Sequence, residues 1–221
     1  MSAPATSVIW FDFGGVLSPP LEELYDAYET KTGITPEQLQ GAMKEVAAEL
    51  DLPTLAPVEL GTMSEPEWGA ALARVLEDRH PGIDLGRARL TSFGEQWFSG
   101  IEANQSMICA FRYAQANGFR AGVLSNNVLE WEPHWMRIIA PLGPVDLLID
   151  SCKVGVRKPD PKIFELAADR AGVRAEECLL IDDLEENCAA AAATGWRTVH
   201  FRNNHQALTD LQRLTGLPSI Y

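Results

Sequence analysis

The stretch Val8-Ile9-Trp10-Phe11-Asp12-Phe13-Gly14-Gly15 decides the fold. Four consecutive apolar residues leave no polar face, so the segment reads as a strand covered on both sides, as strands of a parallel sheet are. A carboxylate and two glycines close it. Four more runs of this kind follow, at 121–124, 145–149, 179–181 and 198–201. Helical patterns separate them. Residues 106–117 stop before Gly118, Pro161–Ala171 opens on proline and stops before Gly172, 184–194 is alanine-rich and stops before Gly195, and a last helix covers about 206–214. Proline at the start and glycine past the end is the expected asymmetry of helix termini. Strands alternating with helices predict an α/β protein built on a Rossmann-like open parallel sheet of five strands.

About a hundred residues part the first strand from the second, far more than a crossover needs. Their pattern is helical. Leu21, Leu24, Tyr25 and Tyr28 recur at helical spacing before Gly33. Thr35-Pro36-Glu37-Gln38 and Ser64-Glu65-Pro66-Glu67 both have the capping-box form. A fourth helix is expected over about 84–98. The predicted organisation is a core of residues 1–16 and 101–221 with a helical subdomain, 17–100, inserted after the first strand.

The 221-residue chain carries a net charge of −13. Such acidity repels a phosphate backbone and argues against nucleic acid as a partner. Cys109, Cys152, Cys178 and Cys188 form no C-x-x-C pair and no zinc spacing with histidine, which suits reduced thiols and a cytoplasmic location. No basic leader and no apolar run of membrane length is seen, so neither a signal peptide nor a membrane partner is expected.

In open parallel sheets, ligands bind at the carboxyl ends of the strands. The first strand ends in Asp12, the second in Ser125-Asn126-Asn127, and the fourth in Asp182-Asp183, while Lys158 follows the third. Asp12 can serve as a nucleophile toward phosphorus. Asp12, Asp183 and the carbonyl of Gly14 supply hard oxygen ligands of the kind magnesium takes. Ser125 and the backbone N–H of Asn126 can bind phosphate oxygens, and Lys158 can neutralise charge. Each piece alone has a plain structural explanation, since Asp and Asn commonly cap helices and make turns. Their order and shared strand-end setting carry the signal.

That order resembles the four motifs of the haloacid dehalogenase (HAD) superfamily, in the subgroup similar to the N-terminal phosphatase-like domain of epoxide hydrolases. Phe11-Asp12-Phe13-Gly14-Gly15-Val16-Leu17 resembles the first motif and Val123-Leu124-Ser125-Asn126-Asn127 the second. Gly155-Val156-Arg157-Lys158-Pro159-Asp160-Pro161 is similar to the third, and Leu180-Ile181-Asp182-Asp183 with Asn187 to the fourth. The resemblance implies a Mg2+-dependent hydrolase with a C1-type helical cap, acting on a small phosphorylated metabolite through an aspartyl-phosphate on Asp12. It makes Asp12, Gly14 and Asp183 the metal ligands, and places Asp182 and Asn187 behind them. Lys158 and Ser125 join Asp12 as catalytic residues, with Ser125, Asn126 and Lys158 binding substrate.

One position departs from the family. Most of its phosphatases carry a second Asp as general acid/base where this chain has Gly14. A good leaving group, a proton supplied by another carboxylate (Glu22, Glu23 or Glu130), or a binding protein with little turnover would each accommodate that loss. Metal-independent 2-haloacid dehalogenation is a further alternative, which the Asp182-Asp183 pair disfavours. In 16–100, acidic residues outnumber basic ones by 15 to 6, which disfavours polyanionic substrates. Trp68, Trp97, Trp131 and Trp135 suit either substrate stacking or core packing.

Overall fold

The computed structural model describes residues 6–218. In chain order the main elements are β1 (Val8–Phe11), α1 (Leu21–Thr32), α2 (Pro36–Ala48), α3 (Ala56–Glu59), α4 (Glu65–Arg79), α5 (Phe93–Trp97) and α6 (Gln105–Ala116). Then come β2 (Arg120–Ser125), α7 (Glu132–Ile139), β3 (Leu147–Asp150), α8 (Ser151–Val154), α9 (Pro161–Ala171), β4 (Cys178–Asp182), α10 (Glu185–Ala193), β5 (Arg197–His200) and α11 (Asn204–Thr215). The five strands form one parallel sheet in the order β3-β2-β1-β4-β5. The predicted α/β architecture is what folds.

By internal packing the chain divides into two compact units. One comprises residues 1–19, 102–126 and 138–221, the other 20–101 and 127–137. The stretch 127–137, which the sequence reading assigned to the core, groups with the helical unit.

In the sheet unit, every residue of β1 is fully buried, which explains its lack of a polar face. Trp10 stacks on Trp196 at 6.2 Å, and Phe164 of α9 meets Trp196 edge-on at 5.5 Å. The register sets Phe11 opposite Val123 on one side and Ile181 on the other. The carboxyl ends of β1, β2 and β4 therefore fall within two residues of one another, β2 running on to Ser125 and β4 to Asp182. β3 begins two residues later than expected, after the turn through Gly143 and Pro144, where proline offers no donor to a ladder.

In the helical unit, both predicted capping boxes form. Thr35 pairs reciprocally with Gln38, and Ser64 with Glu67. The continuous helix expected over 84–98 does not form. Asp84 accepts the Gly86 N–H at 2.9 Å, closing a turn there, and only a 3-10 turn (Leu90–Ser92) and the short α5 follow. Phe93 stacks on Trp97 and Trp131, at 5.2 and 5.5 Å, and meets Trp68 edge-on at 5.3 Å. Gly94 is required here, because a Cβ would come within 2.3 Å of the Trp131 ring. Trp68, Trp97, Trp131 and Trp135 are all buried, so these rings serve as core.

Candidate active site

Asp12 follows β1 directly and is held by the adjoining strand, its N–H donating to the Ile181 carbonyl at 2.9 Å. The chain then turns tightly. Phe13 N–H donates to Asp12 Oδ1 at 2.7 Å, Gly15 N–H to Ser18 Oγ at 3.1 Å, and Ser18 N–H back to the Phe13 carbonyl at 2.8 Å. Gly15 sits at φ 68° in this turn. A Cβ on Gly15 would lie 2.4 Å from Asp183 Oδ2, so the glycine makes room for the Asp183 carboxylate. Gly14, by contrast, has φ −64° and ψ 127°, which any residue adopts, and nothing lies within 4 Å of where its Cβ would be.

The carboxylates of Asp12, Asp182 and Asp183 converge, each offering an oxygen within 4.8 Å of the others. Lys158 is 1 % exposed and bridges two of them, with Nζ 2.9 Å from Asp12 Oδ1 and 2.6 Å from Asp182 Oδ2. Asp182 is saturated. Its Oδ1 accepts from Leu184 N–H at 3.0 Å and Asn187 Nδ2 at 2.9 Å, while Oδ2 takes the ammonium. Asp12 is held by Oδ1 alone, and the described residues make no hydrogen bond to Oδ2. Among the described residues, no side chain hydrogen-bonds to the Asp183 carboxylate. Its backbone carbonyl accepts from His200 Nε2 at 3.0 Å.

Three carboxylates facing one ammonium leave an excess of buried negative charge. Burial pushes the Asp12 carboxyl up to about 8, with Asp182 and Asp183 adding to the rise and Lys158 opposing it. Asp183 is pushed up to about 6, by burial and by Asp182. Burial alone would lower Lys158, but Asp12 and Asp182 outweigh it, so the ammonium is raised and stays protonated. A hard divalent cation would remove this imbalance, and the oxygen-only donor set is of the type magnesium takes. Asn187 adds a buried Oδ1 without a partner, a spare acceptor beside the cluster.

The residues singled out from sequence fall as follows. Asp12, Asp182, Asp183 and Lys158 are brought together directly, with Asn187 behind Asp182. Ser125 is buried at the end of β2, its hydroxyl 3.4 Å from the Asn126 carbonyl. The Asn126 side chain is fully used. Its Oδ1 accepts from Lys158 N–H at 2.8 Å and its Nδ2 donates to the Lys158 carbonyl at 2.9 Å. It therefore fixes the Lys158 backbone through both ends of its amide. Of the three candidate acids, Glu22 and Glu23 are exposed on α1, and Glu130 accepts the Glu65 N–H at 3.1 Å within the helical unit. The sequence reading missed Gly15 and His200. A second glycine after Asp12, and a histidine at the end of the strand Arg197–His200, were the available signals.

Comparison with known proteins agrees with this geometry. A family model described as haloacid dehalogenase-like hydrolase matches residues 6–195. The bifunctional epoxide hydrolase 2 of Sus scrofa is 26 % identical over 217 residues, covering 94 % of this chain but 38 % of that protein. The chain thus spans well under half the length of that relative. Glyceraldehyde 3-phosphate phosphatase of Methanopyrus kandleri is 26 % identical over 178 residues, covering 78 % of this chain and 69 % of that one. Among solved structures, a HAD family enzyme of Bacteroides thetaiotaomicron, in complex with magnesium and inorganic phosphate, superimposes with a TM-score of 0.62 at 18 % identity. It covers 90 % of this chain and 95 % of its own. The L-2-haloacid dehalogenase of Xanthobacter autotrophicus gives 0.63 at 17 % identity, over 92 % and 81 % of the two chains. At these identities the structures speak for the fold, while the family model spans most of the sequence: the chain belongs to the haloacid dehalogenase-like hydrolases.

Proposed function

We propose that the chain is a magnesium-dependent phosphatase of small phosphate monoesters, working through an aspartyl-phosphate on Asp12. The observation that carries this reading is the excess of carboxylate over ammonium among Asp12, Asp182, Asp183 and Lys158. Asp12, Asp183 and the Gly14 carbonyl would hold the ion, with Asp182 and Asn187 acting behind them. Magnesium would neutralise the approach of an anionic phosphate to an anionic nucleophile.

The chain's own residues divide the remaining work. Lys158 and the Phe13 N–H hold Asp12 by Oδ1, which leaves Oδ2 to attack. Ser125 and the Asn126 main chain take phosphate oxygens, and Asn126 steadies Lys158 through its side chain. The helical unit, 17–100 in our sequence division and joined by 127–137 in packing, serves as the cap that selects substrate. A phosphatase relative 26 % identical over most of the chain supports the reaction class.

Dehalogenation of a 2-haloacid fits less well, because Asp182 and Asp183 would repel a carboxylate substrate. A binding protein with little turnover is the second reading, favoured by the absent side chain at Gly14. The deciding experiment is a panel of phosphate esters, aryl and anomeric ones included, with and without magnesium. Metal-dependent phosphate release is expected, lowered on the order of 10⁴-fold or more in Asp12→Asn. Binding without release would favour the second reading, and metal-independent halide release from 2-haloacids the dehalogenase.

A further inference from the structure

We infer that the phosphorylated form of Asp12 is long-lived, so that attack by water limits turnover and a more readily ionised acceptor competes with water for the phosphoryl group. This inference rests on the phosphatase reading above. In the first step, Asp12 Oδ2 bonds to phosphorus, the ester P–O bond breaks, and the leaving oxygen departs with the electron pair. An aryl or anomeric oxygen accommodates that charge without a proton. In the second step, a water oxygen bonds to phosphorus, the P–O bond to Asp12 breaks, and its electron pair returns to the carboxylate. The attacking water must also give up a proton, and a positioned base speeds such a step by about 10²–10⁴-fold.

Among the described residues, the side chains hydrogen-bonded around Asp12 are not free to take that proton. Lys158 is protonated and held between Asp12 and Asp182. Both oxygens of Asp182 are occupied by Lys158, Leu184 and Asn187. Asp183 would be committed to the cation, and the hydrogen bond of His200 to the cluster runs through Nε2 to the Asp183 main-chain carbonyl. Ser125 has no basic partner, its hydroxyl being directed at the Asn126 carbonyl. Two residues beyond Asp12, where a side chain would have open space, the chain has Gly14. An acceptor that ionises more easily than water, such as a fluorinated alcohol, needs less help from a base and would take the phosphoryl group in its place, its own proton passing to solvent.

The test uses the full chain with magnesium and an aryl phosphate, mixed rapidly. The expected result is a burst of about one equivalent of aryl oxide per chain, followed by a slower steady rate. Acid-quenched protein should carry one phosphoryl group, mapped to Asp12. Trifluoroethanol should raise the steady rate and appear as its phosphate ester by phosphorus NMR. In Gly14→Asp, whose backbone angles admit a side chain, the burst should disappear as dephosphorylation accelerates about 10²-fold. Steady turnover without burst or phosphorylated protein would overturn this inference and leave the phosphatase standing. No phosphate release and no labelling, with acetyl phosphate as a second donor, would overturn both.

Discussion

Glu65 in the helical unit and Asp12 in the sheet unit are each 7 % exposed, yet their surroundings are opposite in kind. Glu65 Oε1 accepts the Gly94 N–H at 2.6 Å and the Trp131 indole N–H at 2.7 Å, amid stacked aromatic rings. That carboxylate is answered by donors of its own unit, and it joins α4, α5 and the 127–137 stretch. Asp12 instead shares a buried site with two further carboxylates and one ammonium. A buried charge is tolerated when it is paired and hydrogen-bonded. The first carboxylate meets that condition within the chain. The second cluster does not meet it among the described residues, and this separates a structural acid from a candidate site.

Asp182 and Asp183 break the comparison most sharply, because neighbouring carboxylates are expected to fail in different ways. Asp182→Ala should destabilise the protein by about 3 kcal/mol or more, since it strands Lys158, Asn187 and the Leu184 N–H together. Asp183→Asn should leave the melting temperature near the wild-type value and lower magnesium affinity by roughly 10²-fold, in line with the loss of a charged ligand. Denaturant titration and calorimetry would separate the two. Equal magnesium affinity in Asp183→Asn and wild type would remove Asp183 as a ligand.

Glu65→Ala should cost about 1–3 kcal/mol by leaving the Gly94 and Trp131 donors unpaired, with magnesium affinity unchanged. A loss of magnesium binding there would mean that the two kinds of carboxylate are not distinct. The glycine pair gives a smaller contrast. Gly14→Ala should be neutral or stabilise by about 0.4–1 kcal/mol, because its angles suit alanine and its surroundings are open. Gly15→Ala should cost about 1 kcal/mol from its positive φ, and should weaken magnesium binding by displacing Asp183.

A further signal is in pH. Asp12 and Asp183 are raised to about 8 and about 6, so in the metal-free fold they hold protons that the unfolded chain has already released. Stability of the metal-free protein should therefore be greatest in acid and decline as pH rises from the ordinary carboxylate range toward about 8. Magnesium binds the ionised forms, so its affinity should rise over the same interval. Thermal melts across pH, with magnesium and with chelator, would check both slopes. A metal-free stability that rises toward pH 8 would contradict the excess-charge picture.

Much of the site was legible because its residues stand at strand ends, where an apolar run stops and a polar residue begins. Asp12, Ser125 and Asp182-Asp183 could be read that way, with Lys158 in the turn before a proline-opened helix. The roles within the pair Asp182-Asp183 were harder. Both share one strand end, and only the hydrogen bonds tell the saturated carboxylate from the open one. The helix expected over 84–98 was misread for a related reason. The Asp84–Gly86 turn and the close approach of Trp131 to Gly94 favour short turns there instead.

What the sequence determined by itself was the order of strands and helices, the parallel character of the sheet, the helix ends at Gly33, Gly172 and the two capping boxes, and the set of polar residues at the carboxyl edge. Those follow from local propensity and apolar periodicity, which neighbours in the chain decide. What only the tertiary structure decided was the division of labour. Asn126 spends its side chain on Lys158, His200 secures Asp183, Gly15 yields space to a carboxylate, Gly14 leaves space empty, and 127–137 packs with the helical unit. Each depends on distances between segments far apart in sequence, set by strand register and by the packing of buried rings, which no local pattern encodes.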